Sequence, residues 1–133
     1  YTTLFRSVIE LVLRITRTFE RSTGIGINVE WGNLPFHLSS ACTAATTHLV
    51  QEALVNSFRH GNARHVEVHF RLSDRLLHVT VSDDGHGGSV NQHGIGHTGM
   101  AERVGNLGGR IRFRSSLHGY SVEALIPIQE RQV

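Results

Sequence analysis

Leu4, Val8, Leu11, Ile15 and Phe19 recur at steps of three and four residues, and charged residues fill the positions between them. That spacing predicts an amphipathic helix, and Gly24 is placed to end it as a left-handed C′ residue. Ile25, Ile27, Val29 and Trp31 then alternate with small or polar residues, which predicts a strand, and Gly32, Asn33 and Pro35 make a turn. A long helix follows, capped by Ser39 or Ser40, running to about His60 and burying Val50, Leu54 and Phe58. Alternation at Val66, Val68 and Phe70 and at Leu77, Val79 and Val81 predicts a hairpin with Ser73-Asp74 at its turn. A glycine-rich loop covers about residues 84–98. Met100, Val104 and Leu107 mark a short helix stopped by Gly108-Gly109. Ile111 and Phe113, then Val122, Ala124 and Ile126, give the last two strands. Helices and strands mix without a repeating strand–helix–strand unit. The expected fold is therefore α+β, a two-layer sandwich of one mixed sheet with its helices on a single face.

A chain of 133 residues suffices for one domain with a hydrophobic core. All 13 Lys+Arg residues are Arg, which excludes the glycine-loop phosphate site that ends in Lys. The arginines are scattered and aromatic residues are few, against a nucleic-acid platform. Cys42 is the single cysteine and has no partner for an internal disulfide. No apolar stretch approaches the roughly 18 residues of a membrane span. The chain opens directly into helix, as expected of a piece of a longer protein.

Two segments concentrate candidate chemistry. Glu52, Asn56, Arg59 and His60 lie at i, i+4, i+7 and i+8, one polar stripe on the long helix. An Asn oxygen is a hard neutral ligand suited to Mg²⁺. Glu52 is placed to order a metal-bound water or orient a nucleophile, Arg59 to meet phosphate oxygens, and His60 to lie against a purine. The second segment is Asp83-Asp84-Gly85-His86-Gly87 at a strand end. A carboxylate there can accept from an exocyclic amine such as adenine N6, and Gly85 and Gly87 leave room for a ring. Asp84 reads as a solvated turn residue. Gly94-x-Gly96-x-x-Gly99 opens the short helix, where backbone N–H groups suit phosphate. It is not a dinucleotide fingerprint, because loop precedes it and no acidic residue follows at the required distance. His86, His93 and His97 lie close in sequence without a zinc pattern and read as solvated. Arg110, Arg112 and Arg114 read as the wet face of a strand.

With these motifs in place, the chain resembles bacterial sensor histidine kinases. Gln51-Glu52-Ala53-Leu54-Val55-Asn56-x-x-Arg59-His60 is similar to their N box, and Asp83-x-Gly85-x-Gly87 to their G1 box. Gly94-Ile95-Gly96-x-x-Gly99-Met100-Ala101-Glu102-Arg103-Val104, then Leu107-Gly108-Gly109, is similar to their G2 region, in particular that of the nitrate/nitrite-sensor and desaturase-sensor branch. The resemblance implies the GHKL ATPase fold and the cofactors ATP and Mg²⁺. By position, Asn56 would hold Mg²⁺ and Asp83 would read adenine. Arg59 and His60 would contact the nucleotide, as would Gly85, Gly87, Gly94, Gly96, Gly99 and Met100, with the glycines shaping the lid. Glu52, Asn56 and Arg59 would form the catalytic set. Residues 1–23 would be a lead-in helix, a candidate end of the dimerisation hairpin, and residues 24–133 the catalytic domain.

The resemblance further implies a parent protein that is a homodimer, with its acceptor His on a separate dimerisation domain and a response regulator downstream. No His-Asp or His-Glu pair, the mark of that acceptor, occurs here. The domain is expected to be cytoplasmic, without nucleic acid or direct membrane contact, and its parent a candidate for anchoring in the inner membrane. His97 departs from the usual Leu, Gly88 from a frequent Phe, and Gly119-Tyr120-Ser121 from a usual Gly-Thr pair. Two alternatives stand beside this reading. One is a GHKL-fold anti-sigma Ser/Thr kinase or ATP hydrolase, and the other, motivated by the departures, is a degenerate nucleotide-binding interaction module.

Overall fold

The computed structural model describes residues 7–60, 62–85 and 94–128, and their side chains except at residues 60 and 94–96. Three helices and five strands follow the order α1 (Val8–Thr23), β1 (Gly26–Glu30), α2 (Ser40–His60), β2 (His65–Ser73), β3 (Leu76–Asp83), α3 (Gly94–Asn106), β4 (Arg110–Ser116) and β5 (Gly119–Pro127). Ser7 caps α1 by accepting from the Glu10 amide, and Gly24 ends it at φ 78°. Ser39 caps α2, its hydroxyl accepting from Cys42 N at 3.1 Å.

The strands form one sheet in the order β1-β2-β3-β5-β4. β1 runs parallel to β2, across the α2 crossover, and every other pair is antiparallel. The fold is thus the α+β sandwich with a mixed sheet that the alternation predicts. Asp74 and Arg75 both take positive φ, the signature of a two-residue type I′ turn between β2 and β3.

Period-two alternation decides what each strand buries. Val66, Val68, Phe70, Leu77, Val79, Val81, Val122, Ala124 and Ile126 line one face of the sheet and are buried. α2 lies over them with Leu49, Val50, Ala53 and Leu54, and α1 adds Val8 and Val12 to the same core. α3 contributes Met100 and Val104. The other face is wet. There Glu67 accepts from Asn28 of β1 at 2.9 Å and pairs with His65 and His69 of its own strand. Those donors, Asn28 first, hold its carboxyl well below the usual range, at about 2.

Two expectations fail here. Phe58 is not in the core: it is 54% exposed and meets Phe19 of α1 edge-on, with ring centroids 6.3 Å apart. The glycine-rich segment does not stay loop to residue 98, because α3 begins at Gly94. Gly94, Gly96 and Gly99 therefore lie in the first two turns of a helix. Arg110, Arg112 and Arg114 do form the exposed face of β4.

Candidate nucleotide site

Asp83 ends β3 where the β3–β5 ladder ends, one residue past the Ser82↔Ser121 pair. Its Oδ1 accepts from two backbone amides, Gly85 N at 2.9 Å and Tyr120 N at 3.1 Å. Gly119 makes the second bond possible. At φ 144° it brings β5 so close that a Cβ there would lie 2.1 Å from the Asp83 carbonyl oxygen. With Oδ1 held, the carboxylate cannot rotate. Its Oδ2 is buried and has no hydrogen-bond partner. An orphaned buried acceptor costs about 1–3 kcal/mol, so this oxygen is set for an external donor. An open cleft of ≈ 670 Å³ at this end of the sheet is lined by Asp83, Phe113, Ser115, Gly119 and Tyr120, among others.

α2 reaches the residues of this cleft through Asn56. Asn56 is 6% exposed, and its Nδ2 donates to the Tyr120 hydroxyl at 3.4 Å. That leaves Oδ1, a neutral hard oxygen of the kind Mg²⁺ takes. Glu52 is half-buried one turn earlier, 3.9 Å from His48 Nε2. Burial, and then the Arg103 charge, lower the His48 pKa. Tyr120 is 2% exposed. Its burial, and then the carboxylates of Asp83 and Glu52, push its pKa above the ordinary tyrosine range, although the bond from Asn56 acts the other way. Asn56 thus bonds the phenol directly, while Asp83 and Glu52 act on it through their charge.

The remaining candidates are placed as follows. Arg59 is exposed at the end of α2, and His60 belongs to the same helix. Gly85 directly follows Asp84 and donates to Asp83. Gly87, His86 and His93 lie outside the described residues. Gly94, Gly96 and Gly99 are on α3, and a Cβ at Gly99 would meet only His48 Cε1, at 3.8 Å. Met100 is buried in the core at 1% exposure. Asp84, read as a plain turn residue, accepts from the Arg64 and His65 amides and so pins the start of β2. Those two bonds lower its pKa.

His97 requires a correction. It is not solvated: it is 8% exposed, its Nε2 lies 2.7 Å from the Tyr120 hydroxyl, and its ring stacks on Phe113 at 3.6 Å. Sequence reasoning missed Tyr120 and His97 as members of the site. The available signal was that both depart from the pattern of the family the chain resembles. Among the described residues, ligand atoms of Glu30, Glu67 and His69 also come within 4.8 Å of one another, on the wet face of the sheet.

The family of histidine kinase-, DNA gyrase B- and HSP90-like ATPases matches residues 43–130, the span that carries Asn56, Asp83, α3 and Tyr120. The chain belongs to this family. As a member of it, the chain is 36% identical over 109 residues to the signal transduction histidine-protein kinase/phosphatase UhpB of Salmonella typhimurium, covering 80% of this chain and 21% of that protein. It is 29% identical over 119 residues to the sensor histidine kinase LnrJ of Bacillus subtilis, covering 89% of this chain and 30% of that one. The chain therefore spans less than a third of these curated relatives. The histidine kinase domain of the blue-light activated histidine kinase EL346 from Erythrobacter litoralis superposes with a TM-score of 0.80. At 23% identity it covers 92% of this chain and 61% of that one, and it shares the fold of this ATPase domain. Among the described residues, no helix is long and apolar enough to cross a membrane.

Proposed function

We propose that this chain is the ATP-binding catalytic domain of a sensor histidine kinase. It binds Mg·ATP and donates the γ-phosphoryl group to a His on a separate dimerisation domain, for relay to a response regulator. The observation that carries the reading is Asp83, a carboxylate locked by two backbone amides with its second oxygen buried and unpaired. The exocyclic amine of adenine is a donor of the right kind. Gly85 lets the base approach the backbone. Relatives of this chain that are themselves named sensor histidine kinases support the direction of the transfer.

In this reading Asn56 Oδ1 is the protein ligand of Mg²⁺, which neutralises phosphate charge when bound. Glu52 supports the cation or acts as base. Arg59, exposed at the end of α2, reaches phosphate oxygens, with His60 beside the nucleotide. The N-terminus of α3, with Gly94 and Gly96, offers backbone N–H groups to the phosphates. Gly87 and Gly99 complete the nucleotide-facing set, while Met100, buried in the core, serves to seat α3. The acceptor imidazole nitrogen attacks the γ-phosphorus, the bond to the bridging oxygen breaks, and ADP leaves. The protein contributes position and charge. The parent protein is a homodimer, residues 1–23 lead in from its dimerisation hairpin, residues 24–133 form the catalytic domain, and that domain works on the cytoplasmic side of an inner membrane.

Radiolabelled ATP tests this directly. Label that passes to an added His-bearing helix hairpin, with little hydrolysis by this chain alone, is the expected result. Rapid hydrolysis without transfer would assign the chain to the ATP hydrolases instead.

A further inference from the structure

We propose that Tyr120 is a positioning residue for the cation. Its hydroxyl, oriented by His97 of α3, holds the Asn56 amide with Oδ1 directed to the metal. The inference rests on the Mg·ATP reading above and adds two residues to it.

The chemistry of the three groups sets the direction of the chain. An amide Nδ2 only donates, so at Asn56 the phenol oxygen accepts, across 3.4 Å. At neutral pH a tyrosine is a neutral phenol with one proton to give. His97 Nε2 lies 2.7 Å from that oxygen, and in the proposed arrangement it accepts a hydrogen bond from the phenol O–H. All three side chains are buried: Asn56 6%, His97 8% and Tyr120 2% exposed. The His97 ring is held in place, stacked on Phe113 at 3.6 Å and on Tyr120 at 5.7 Å. The backbone N–H of Tyr120 meanwhile donates to Asp83, so one residue connects both halves of the site.

His97 decides which way the amide faces. Without an acceptor at His97, the phenol proton would turn to Asn56 and bond its Oδ1. The amide would then present its NH₂ to the cation, and an NH₂ group repels a cation. With His97 in place, the phenol proton is committed and the amide settles with Nδ2 inward. Asn56, Tyr120 and His97 come from α2, β5 and α3, so cation affinity is tied to the seat of α3 on the sheet.

The test uses the full chain and follows ATP binding as Mg²⁺ is raised. Circular dichroism confirms that each variant is folded. Tyr120→Phe and His97→Leu are expected to raise the half-saturating Mg²⁺ concentration at least fivefold. His97→Gln, whose amide oxygen can accept the phenol proton, is expected to restore the midpoint to within twofold of wild type. In ¹⁵N-edited spectra of the wild-type chain, His97 is expected as the Nδ1–H tautomer with Nε2 unprotonated. Wild-type Mg²⁺ midpoints in Tyr120→Phe and His97→Leu, alongside a raised one in Asn56→Ala, would overturn this proposal alone. An unchanged midpoint in Asn56→Ala would overturn the metal assignment and this proposal with it.

Discussion

A carboxylate with one oxygen doubly bonded by backbone amides and the other buried without a donor is the defining residue-scale feature of this site. Asp83→Asn replaces a charged acceptor with an amide. It is expected to weaken ATP binding by about 2 kcal/mol or more, with melting behaviour close to wild type, as followed by titration calorimetry and circular dichroism. Asn56→Ala is expected to remove most of the Mg²⁺ stimulation of ATP binding, and a variant still fully stimulated would take Asn56 out of the metal site. Asp83 and Asn56 are legible in the sequence because local grammar marks them: one ends an alternating strand before glycines, the other sits on a helical polar stripe. Tyr120 and His97 are not. Asn56 and Tyr120 are 64 residues apart and His97 and Tyr120 are 23 apart, so no spacing rule brings them together. Only the sheet order does.

At the scale of elements, Gly119 joins β5 to the end of β3. Its φ of 144° and the 2.1 Å approach of a built Cβ to the Asp83 carbonyl leave no room for a side chain. Gly119→Ala is expected to cost about 2 kcal/mol or more in urea unfolding and to weaken nucleotide binding as well, because Asp83 loses its seat. On the far side of the sheet, Glu67 fastens β1 to β2 through Asn28. Its folded pKa, about 2, lies below its ordinary value of 4.5. The stabilisation is therefore complete above pH 4.5 and is lost as the pH falls toward 2. The wild-type chain should exceed Glu67→Gln in urea midpoint at pH 7 by a small margin, since the group is exposed, and that margin should shrink below pH 4.5 and be largely gone at pH 2. Equal midpoints at both ends of that range would show that the cluster adds nothing. The strands are legible because period-two alternation is short-range information. Phe58 misleads for the opposite reason: it continues a helical stripe, yet Leu49, Val50, Ala53 and Leu54 already fill the space over the sheet. Phe58 falls beside Phe19 instead. The loop reading to residue 98 overruns because it gives glycines their poor helix propensity, which the packing of Met100 and Val104 overrides from Gly94 onward.

For the whole molecule, the order β1-β2-β3-β5-β4 places the end of β3 and the start of β5 around one cleft, and Asn56 of α2 meets it at Tyr120. The mixed sandwich is legible from the element order, but β5 inserting between β3 and β4 is not, because the sequence order of strands does not encode their spatial order. Membership of the ATPase family and the sandwich fold agree with that geometry. In the proposed function, Asp83 accepts from the amine of an adenine base. Guanine carries a carbonyl oxygen where adenine carries that amine, and two acceptors face to face repel. Competition against a fluorescent ATP analogue in the presence of Mg²⁺ therefore tests it most directly. Saturable binding displaced by ATP, with GTP at least tenfold weaker, is the predicted result. No binding at millimolar Mg·ATP, or displacement by GTP as readily as by ATP, would contradict it.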